Sequence, residues 1–527
     1  MPITIGARPL TTAEVTAAAR HGEPVTLDPA ALARMAEIRA IIDALADDAV
    51  PHYGISTGFG ALATTSIPVD RRVDLQRSLV RSHAASSGPE VEAEVVRATM
   101  LLRLQTLATG RTGARPELAE QYAGLLNAGI APIVGEYGSL GCSGDLAPLA
   151  HIALAAMGEG DVRDAAGARI PAAEALAAAG LAPVVLREKE GLALINGTDG
   201  MLGMLALALT DLAALIDTAD LAAAMSIEAL LGTDAVLAAD LQALRPHPGQ
   251  ARSASAMRGF LRDSPIVASH QTDDCTRVQD AYSLRCAPQV HGAARDTLAF
   301  AATVAERELG SAIDNPVVTP DGRVESNGNF HGAPVAYALD FVAIAVADLA
   351  SMSERRTDRF LDVARNQGLP PFLAHEPGVD SGHMIAQYTQ AGIVSELKRL
   401  AAPASVDSIP SSAMQEDHVS MGWAAGRKLR RAVDGLARVV AIEVLTAARA
   451  LDLRSADLGV RPAPATAAVV DCLRHRVPGP GPDRYLAPEI DATYALVMGG
   501  DLLASAAAAG AAPAHTDPTA PTTGADR

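Results

Sequence analysis

Apolar residues recur with helical spacing through most of this 527-residue chain, and no long Pro/Gly/Ser-rich linker interrupts them. That length has room for three or four average domains, but an unbroken helical period favours few domains fused through long helices. Residues 90–108 read as an amphipathic helix, with Val91, Val95, Leu102 and Leu107 apolar and Gly110 as the stop. The stretch 335–360 reads the same way. Ser412-Ala-Met-Gln415 has the spacing of a capping box, and Val433, Leu436, Val440 and Leu445 suggest one long helix running on from it. Strand signals are sparse, the clearest being Asn315-Pro-Val-Val-Thr319 with a turn at Asp321-Gly322. The expected fold class is mainly α.

Charge narrows the function. With 61 acidic against 43 basic residues, the chain is a poor partner for nucleic acid or an anionic membrane. The N-terminus lacks the basic start and apolar core of a signal peptide, and Asp199, Asp211, Asp340 and Asp348 interrupt the longest apolar stretches. No membrane span is expected. Cys142, Cys275, Cys286 and Cys472 form neither a CxxC pair nor a disulfide framework, which suits a reducing cytoplasm and implies no metal.

The segment Gly138-Ser-Leu-Gly-Cys-Ser-Gly-Asp-Leu-Ala-Pro-Leu-Ala-His151 carries the chemistry. If the Gly144 amide nitrogen attacks the Cys142 carbonyl and water leaves, a five-membered ring closes; loss of the Ser143 hydroxyl as a second water leaves an exocyclic methylidene. Glycine permits the close approach, serine has the hydroxyl to lose, and Cys142 needs only to be small. Asp145-Leu-Ala-Pro148 reads as a helix start, with the helix ending near Gly158. Its N-terminal dipole would stabilise negative charge developing on the ring. Ser-Gly-Asp alone would be an ordinary turn.

The longer string resembles the ammonia-lyases and aminomutases that carry the 4-methylideneimidazole-5-one group (MIO). The resemblance extends through Tyr53-Gly-Ile-Ser-Thr-Gly-Phe-Gly60, Ser82-His83, Asn196-Gly-Thr198, Gln279-Asp-Ala-Tyr-Ser-Leu-Arg285, Gly328-Asn-Phe-His-Gly332, Asn366-Gln-Gly368 and Gln415-Glu-Asp-His-Val-Ser-Met-Gly422, in the family's order. The family's usual ring-forming triplet is Ala-Ser-Gly; Cys142 departs from it and sets a thiol beside an electrophile, leaving altered reactivity or oxidation sensitivity open. The resemblance implies a long central helical bundle of the ammonia-lyase (fumarase/aspartase-like) type with a smaller N-terminal α+β region. On that basis 1–200 is the N-terminal region with a lid loop and the ring-forming segment, 201–504 the bundle, and 505–527 a disordered tail rich in Ala, Pro and Thr. It also implies a homotetramer with shared active sites, and MIO formed from Cys142, Ser143 and Gly144 without a metal or diffusible cofactor.

Residue roles follow from the same resemblance. Tyr53 is the base for the β-proton; an unperturbed phenol ionises near pH 10, so its surroundings are expected to depress it and activity to rise toward alkaline pH. Arg285 takes the substrate carboxylate, for which a planar fork is suited. Asn196 lies near both that carboxylate and the ring carbonyl, Gln279 and Tyr282 are polar partners, with Tyr282 among the catalytic set, and Phe330 is a pocket wall.

His83 and Glu416 bear on specificity. Ser82-His83 resembles the histidine-specific members, where phenylalanine and tyrosine lyases tend to have Phe-Leu or His-Leu. A glutamate at 416 suits an imidazole N–H, where the aromatic lyases usually have glutamine; a phenyl ring would leave the carboxylate unpaired. The reading places Glu416 in the first turn of its helix. The implied reaction is elimination of ammonia from L-histidine to trans-urocanate. A tyrosine or phenylalanine lyase, a 2,3-aminomutase using the same ring, and an inactive helical scaffold are the alternatives. A serine-hydrolase elbow fails because position 145 is aspartate, and Gly58-Phe-Gly-Ala-Leu-Ala63 lacks the strand and βαβ unit of a dinucleotide site.

Overall fold

The computed structural model describes residues 2–48, 50–272 and 277–511. The chain is mainly helical, as expected, and its strands are two to four residues long. It forms two compact units interleaved along the sequence. The first comprises Met1–Thr210, Ala302–Asp340 and Pro403–Arg427; the second comprises Asp211–Ala301, Phe341–Ala402 and the chain from Lys428 onward. No break separates them at residue 200, because Asp199–Ala229 is one continuous helix of 31 residues.

In the first unit the helix Ala93–Ala108 is central, packed by Thr12–His21 and Pro116–Asn127. The expected amphipathic pattern is not what forms: from Ala98 to Ala108 every residue is buried, including Arg103, Gln105 and Thr106. Leu101, Leu104, Leu107, Leu118 and Leu125 are fully buried, each contributing about 2 kcal/mol of apolar burial. Thr11 and Glu14 form a capping box at Thr12–His21, and Gly22 ends that helix in the left-handed region.

A second group in this unit positions the site. Arg72–His83, Leu146–Ala156 and Glu190–Ile195 pack against one another. His83 is the last residue of the first, the ring-forming segment enters the second, and Asn196 caps the third. The expected strand near Asn315 is present as the pair Val317–Val318 and Val324–Glu325.

The second unit contains segments of four long helices, Asp199–Ala229, Ala287–Leu309, Ala333–Leu361 and Gly422–Leu458. A buried Glu443 ties three of them: Ser226 and Ser353 donate to it at 2.7 and 2.6 Å, and Arg356 pairs with it. By length and composition Asp199–Ala229 and Ala333–Leu361 are apolar enough to cross a membrane, but the most apolar window of the first is 83% buried inside the protein. It is a core helix. The helix Asp501–Ala508 packs on Pro464–Arg474 and runs through Ser505, so the tail boundary expected there falls within a helix. Cys275 and residues 512–527 lie outside the described residues.

The long C-terminal helix starts at Gly422, not beside Ser412. Ser412, Ala413 and Met414 all have positive φ, and Ser411 pairs with Glu416 as an antiparallel bridge. The capping-box spacing therefore describes a tight turn. Glu416 is outside the helix, and the dipole argument for it falls away.

Candidate active site

Because those three helices pack together, their ends bring distant motifs to one cavity of about 620 Å³. Tyr53, Phe59, Ser82, His83, Ser143, Leu192, Ile195, Asn196, Ser412 and Glu416 are among its lining residues, all from the first unit.

The Cys142-Ser143-Gly144 turn is held on both sides. Ser139 Oγ donates to Asp145 Oδ1 at 2.8 Å, Ser420 Oγ to the Gly141 carbonyl at 2.9 Å, and Met421 N to the Leu140 carbonyl at 2.9 Å. Asp145 N donates to the Gly197 carbonyl at 2.7 Å. Gly144 sits at φ +77°, and a Cβ there would lie 2.0 Å from the Gly197 oxygen, so no other residue fits. Asp145 is fully buried, and that burial pushes its carboxyl up to about 7 against the hydrogen bonds from Met201 N and Ser139.

Cys142 is buried. Burial, aided by the neighbouring Glu416 carboxylate, pushes its thiol up to about 11. The reactivity left open for this cysteine is thereby suppressed, because the thiolate is the reactive form.

Tyr53 accepts a hydrogen bond from Gly60 N at 3.3 Å and meets Phe59 edge-on, with ring centroids 6.4 Å apart. Its surroundings do not depress its pKa. Burial raises it, the Gly60 N–H works the other way, and the Glu416 and Asp314 carboxylates add to the rise. His83 Nδ1 lies 2.9 Å from the Leu79 carbonyl, which can only accept; Nδ1 therefore carries the proton, and Nε2 is the basic nitrogen of the neutral ring. Ser411 Oγ donates to Glu416 Oε2 at 3.0 Å. Asn196 is buried, with Nδ2 at 3.5 Å from the Asn315 carbonyl and Oδ1 without a hydrogen-bond partner, an arrangement expected where a ligand group completes the set.

A layer of buried charge supports this loop. Arg103 pairs with Asp199 and donates to the Ala193 and Ile313 carbonyls at 3.1 and 3.3 Å, and Thr198 donates to Glu308 at 2.6 Å. Sequence reasoning gave these residues no supporting role, although Thr198 stands in the Asn196-Gly-Thr198 motif and Asp199 interrupts an apolar stretch, and it missed Leu192 and Ile195 as cavity walls. The signal at Arg103 was a charge inside an apolar run, Leu101-Leu-Arg-Leu104.

Six expected site residues are not in the cavity lining: Cys142 and Gly144, which flank Ser143 in the turn already described, and four that lie elsewhere. Phe330 is half-buried in the turn before Ala333–Leu361. Gln279, Tyr282 and Arg285 belong to the second unit; Gln279 and Tyr282 are exposed. Arg285 stacks over the Tyr282 ring at 4.9 Å, and its buried Nε has no hydrogen-bond partner. The described cavity lining itself contains no lysine or arginine.

The model of the family described as aromatic amino acid lyase matches residues 10–475, and the chain belongs to that family. Its class of chemistry is that of a carbon–nitrogen lyase. The chain is 63% identical to a histidine ammonia-lyase of Streptomyces coelicolor over 96% of its own length and 98% of the relative's. Among solved structures, histidine ammonia-lyase from Trypanosoma cruzi is similar at a TM-score of 0.88 and 37% identity, covering 97% of this chain and 96% of that one. Tyrosine aminomutase from Streptomyces globisporus is similar at 0.90 and 36%, covering 96% and 99%.

Proposed function

We propose that this protein is a histidine ammonia-lyase, which eliminates ammonia from L-histidine to give trans-urocanate. The observation that carries the reading is the meeting of Ser143, Tyr53, Asn196, His83 and Glu416 in one cavity. The 63% identity to the Streptomyces coelicolor histidine ammonia-lyase supports the choice of substrate.

The residues present fit an MIO group made from Cys142, Ser143 and Gly144. Position 144 admits only glycine, Cys142 is small and buried, Ser143 borders the cavity, and the unpartnered Asn196 Oδ1 lies in the same lining. Once formed, that group supplies an electrophilic carbon that makes the α-amino nitrogen a better leaving group. Tyr53 takes the β-proton through its phenolate, whose population grows with pH. Glu416 accepts the imidazole N–H, and Ser411 orients the carboxylate. A phenyl side chain would set an apolar ring against the half-buried Glu416 carboxylate and offer it no N–H.

The substrate carboxylate needs a cation, and Arg285, with its unpartnered Nε, is suited to it. We propose a homotetramer in which Gln279, Tyr282 and Arg285 of one subunit serve the cavity of another. Size-exclusion chromatography with light scattering tests the assembly. The reading places the enzyme in the cytoplasm, on the cysteine pattern of the sequence, and cell fractionation tests that.

The deciding experiment mixes purified protein with L-histidine and follows urocanate by ultraviolet absorbance together with ammonia. Equal release of both is the expected result. Silence with histidine, with ammonia or a β-amino acid released from tyrosine or phenylalanine, moves the assignment to another lyase or a mutase.

A further inference from the structure

Behind the cavity wall lie two features that a purely apolar core would dispense with. Lys189 and Asp314 are both fully buried and form an ion pair, Nζ to Oδ2 at 2.5 Å, although burying a charge pair seldom adds stability over an apolar pair of similar volume. Lys189 also holds φ at +72°, a region that non-glycine residues occupy at a cost in strain and that tends to mark functional sites. The two costs fall on the same residue, directly before the short helix Glu190–Ile195 whose cap is Asn196.

The pair joins the two segments that the candidate base and Asn196 rest on. From the lysine side, Leu192 approaches Gly54, whose Cβ position would be 3.1 Å from Leu192 Cδ2. From the aspartate side, Pro316 approaches the same Gly54 position at 3.4 Å. Asn196 Nδ2 reaches the Asn315 carbonyl at 3.5 Å, and Asn315 N donates to Asp314 Oδ1 at 2.8 Å. Tyr53 is the residue before Gly54. Both groups therefore sit on backbone that the Lys189–Asp314 contact holds together.

We infer that Lys189 is a positioning residue for the elimination: by pairing with Asp314 it clamps the Asn196 segment to the loop beneath Tyr53, and it cancels the carboxylate charge behind the base. The inference rests on the histidine ammonia-lyase reading. Among the described residues, the two arginines that face the pair are already committed. Arg103 is committed to Asp199, and Arg39 to Asp43 and to the Gly113 and Glu188 carbonyls. The groups that face the pair are Arg103 and Arg39, and those that face the Tyr53 phenol are Glu416 and Asp314. Burial presses Lys189 downward and Asp314 upward, each toward its neutral form. Asp314 already raises Tyr53 while paired; without Lys189 the charge it carries in the alkaline range where the phenol ionises is uncancelled and raises Tyr53 further. Tyr53 works as the phenolate, so the acidic limb of the pH–rate profile moves to higher pH when Lys189 is lost.

The test compares wild type, Lys189→Met, Asp314→Asn and the double variant Lys189→Met/Asp314→Asn. Wild-type urocanate production comes first, and its absence sinks the histidine reading rather than this inference. With wild type active, Lys189→Met is expected to lose about tenfold in kcat/KM at pH 7 through an acidic limb displaced upward by about one pH unit. The double variant is expected to return that limb to the wild-type position although the clamp is gone. Tyrosinate absorbance, read as the difference between each protein and its Tyr53→Phe counterpart, should show the same displacement and the same return without depending on turnover. If Lys189→Met does not fold, Asp314→Asn decides: it removes the carboxylate that raises the Tyr53 phenol and should move the limb to lower pH. A limb that stays in place in the single variants, or a double variant displaced as far as Lys189→Met, overturns the inference.

Discussion

Two buried polar groupings, the carboxylate network among the long helices of the second unit and the lining of the first unit's cavity, are completed to different degrees. In the second unit every carboxylate oxygen of the central network has a partner. Asp220 accepts from His291 at 2.7 Å and Arg295 at 2.5 Å, and the two oxygens of Glu443 are shared among Ser226, Ser353 and Arg356. Burial presses the Asp220 carboxyl upward, yet Arg295 and His291 outweigh it and hold it below the usual range. In the lining of the first unit's cavity the set is left incomplete: Asn196 Oδ1 is buried and has no partner. A saturated network fixes helices against one another. An unsaturated one beside a cavity is prepared for a group that is yet to arrive or to form.

The sharpest way to break that contrast is to remove the serine. Ser143→Ala should lower histidine turnover by at least about 10³-fold, because the electrophile cannot form, while circular dichroism and thermal unfolding stay near wild type. Full activity in this variant would end the proposed mechanism. The second unit should answer in the opposite currency. Glu443→Gln leaves Arg356 without its buried charge partner, a loss of about 3–5 kcal/mol, read as a lowered urea midpoint. Turnover per folded molecule should stay within about twofold. If Glu443→Gln spared stability and abolished turnover, the division between architecture and site would be wrong.

How far the sequence reveals this division depends on the kind of signal. Tyr53, His83, Ser143, Asn196 and Glu416 were legible because each stands in a motif whose residue types have a chemical reason, and they meet in one cavity although they span more than 360 positions. The long helices were legible from periodicity, including Ala333–Leu361. The turn at Ser412 was not, because the spacing of a capping box is the same whether or not a helix follows; the positive φ of three successive residues comes from the Ser411–Glu416 bridge, which involves no periodic pattern. The supporting role of the charges Arg103, Asp199, Lys189 and Asp314 was also missed. Their pairings cross 96 and 125 residues of sequence, and a single charge in an apolar run does not name its partner. For Gln279, Tyr282 and Arg285 the resemblance implies a role, but spacing carries no information about where in the fold such residues fall, and none of the three lines the cavity.

Within the cavity, Glu416 and Cys142 grade the contrast more finely. Glu416→Gln keeps the shape and the Ser411 contact but replaces the carboxylate that we propose accepts the imidazole N–H. Histidine kcat/KM should fall about 10–100-fold, the range expected when a charged hydrogen-bond partner is made neutral, and phenylalanine turnover should fall less or not at all. An equal loss for both substrates would take Glu416 out of the specificity argument.

The smallest effect is expected at Cys142, the one residue of the ring-forming triplet that departs from the family's usual alanine. Its side chain has no atom in the proposed ring, so Cys142→Ala should change turnover by less than about threefold. The thiol itself provides the finer measurement. A free cysteine ionises near pH 8.5, whereas burial and Glu416 push Cys142 up to about 11. Thiolate is the nucleophile toward iodoacetamide, so at pH 8 the thiolate fraction at Cys142 should be about two hundredfold below that of an exposed cysteine. Mass spectrometry of briefly alkylated protein should find this position unmodified. Because Glu416 contributes to that suppression, Glu416→Gln should speed alkylation at Cys142, and an unchanged rate would show that burial alone protects the thiol.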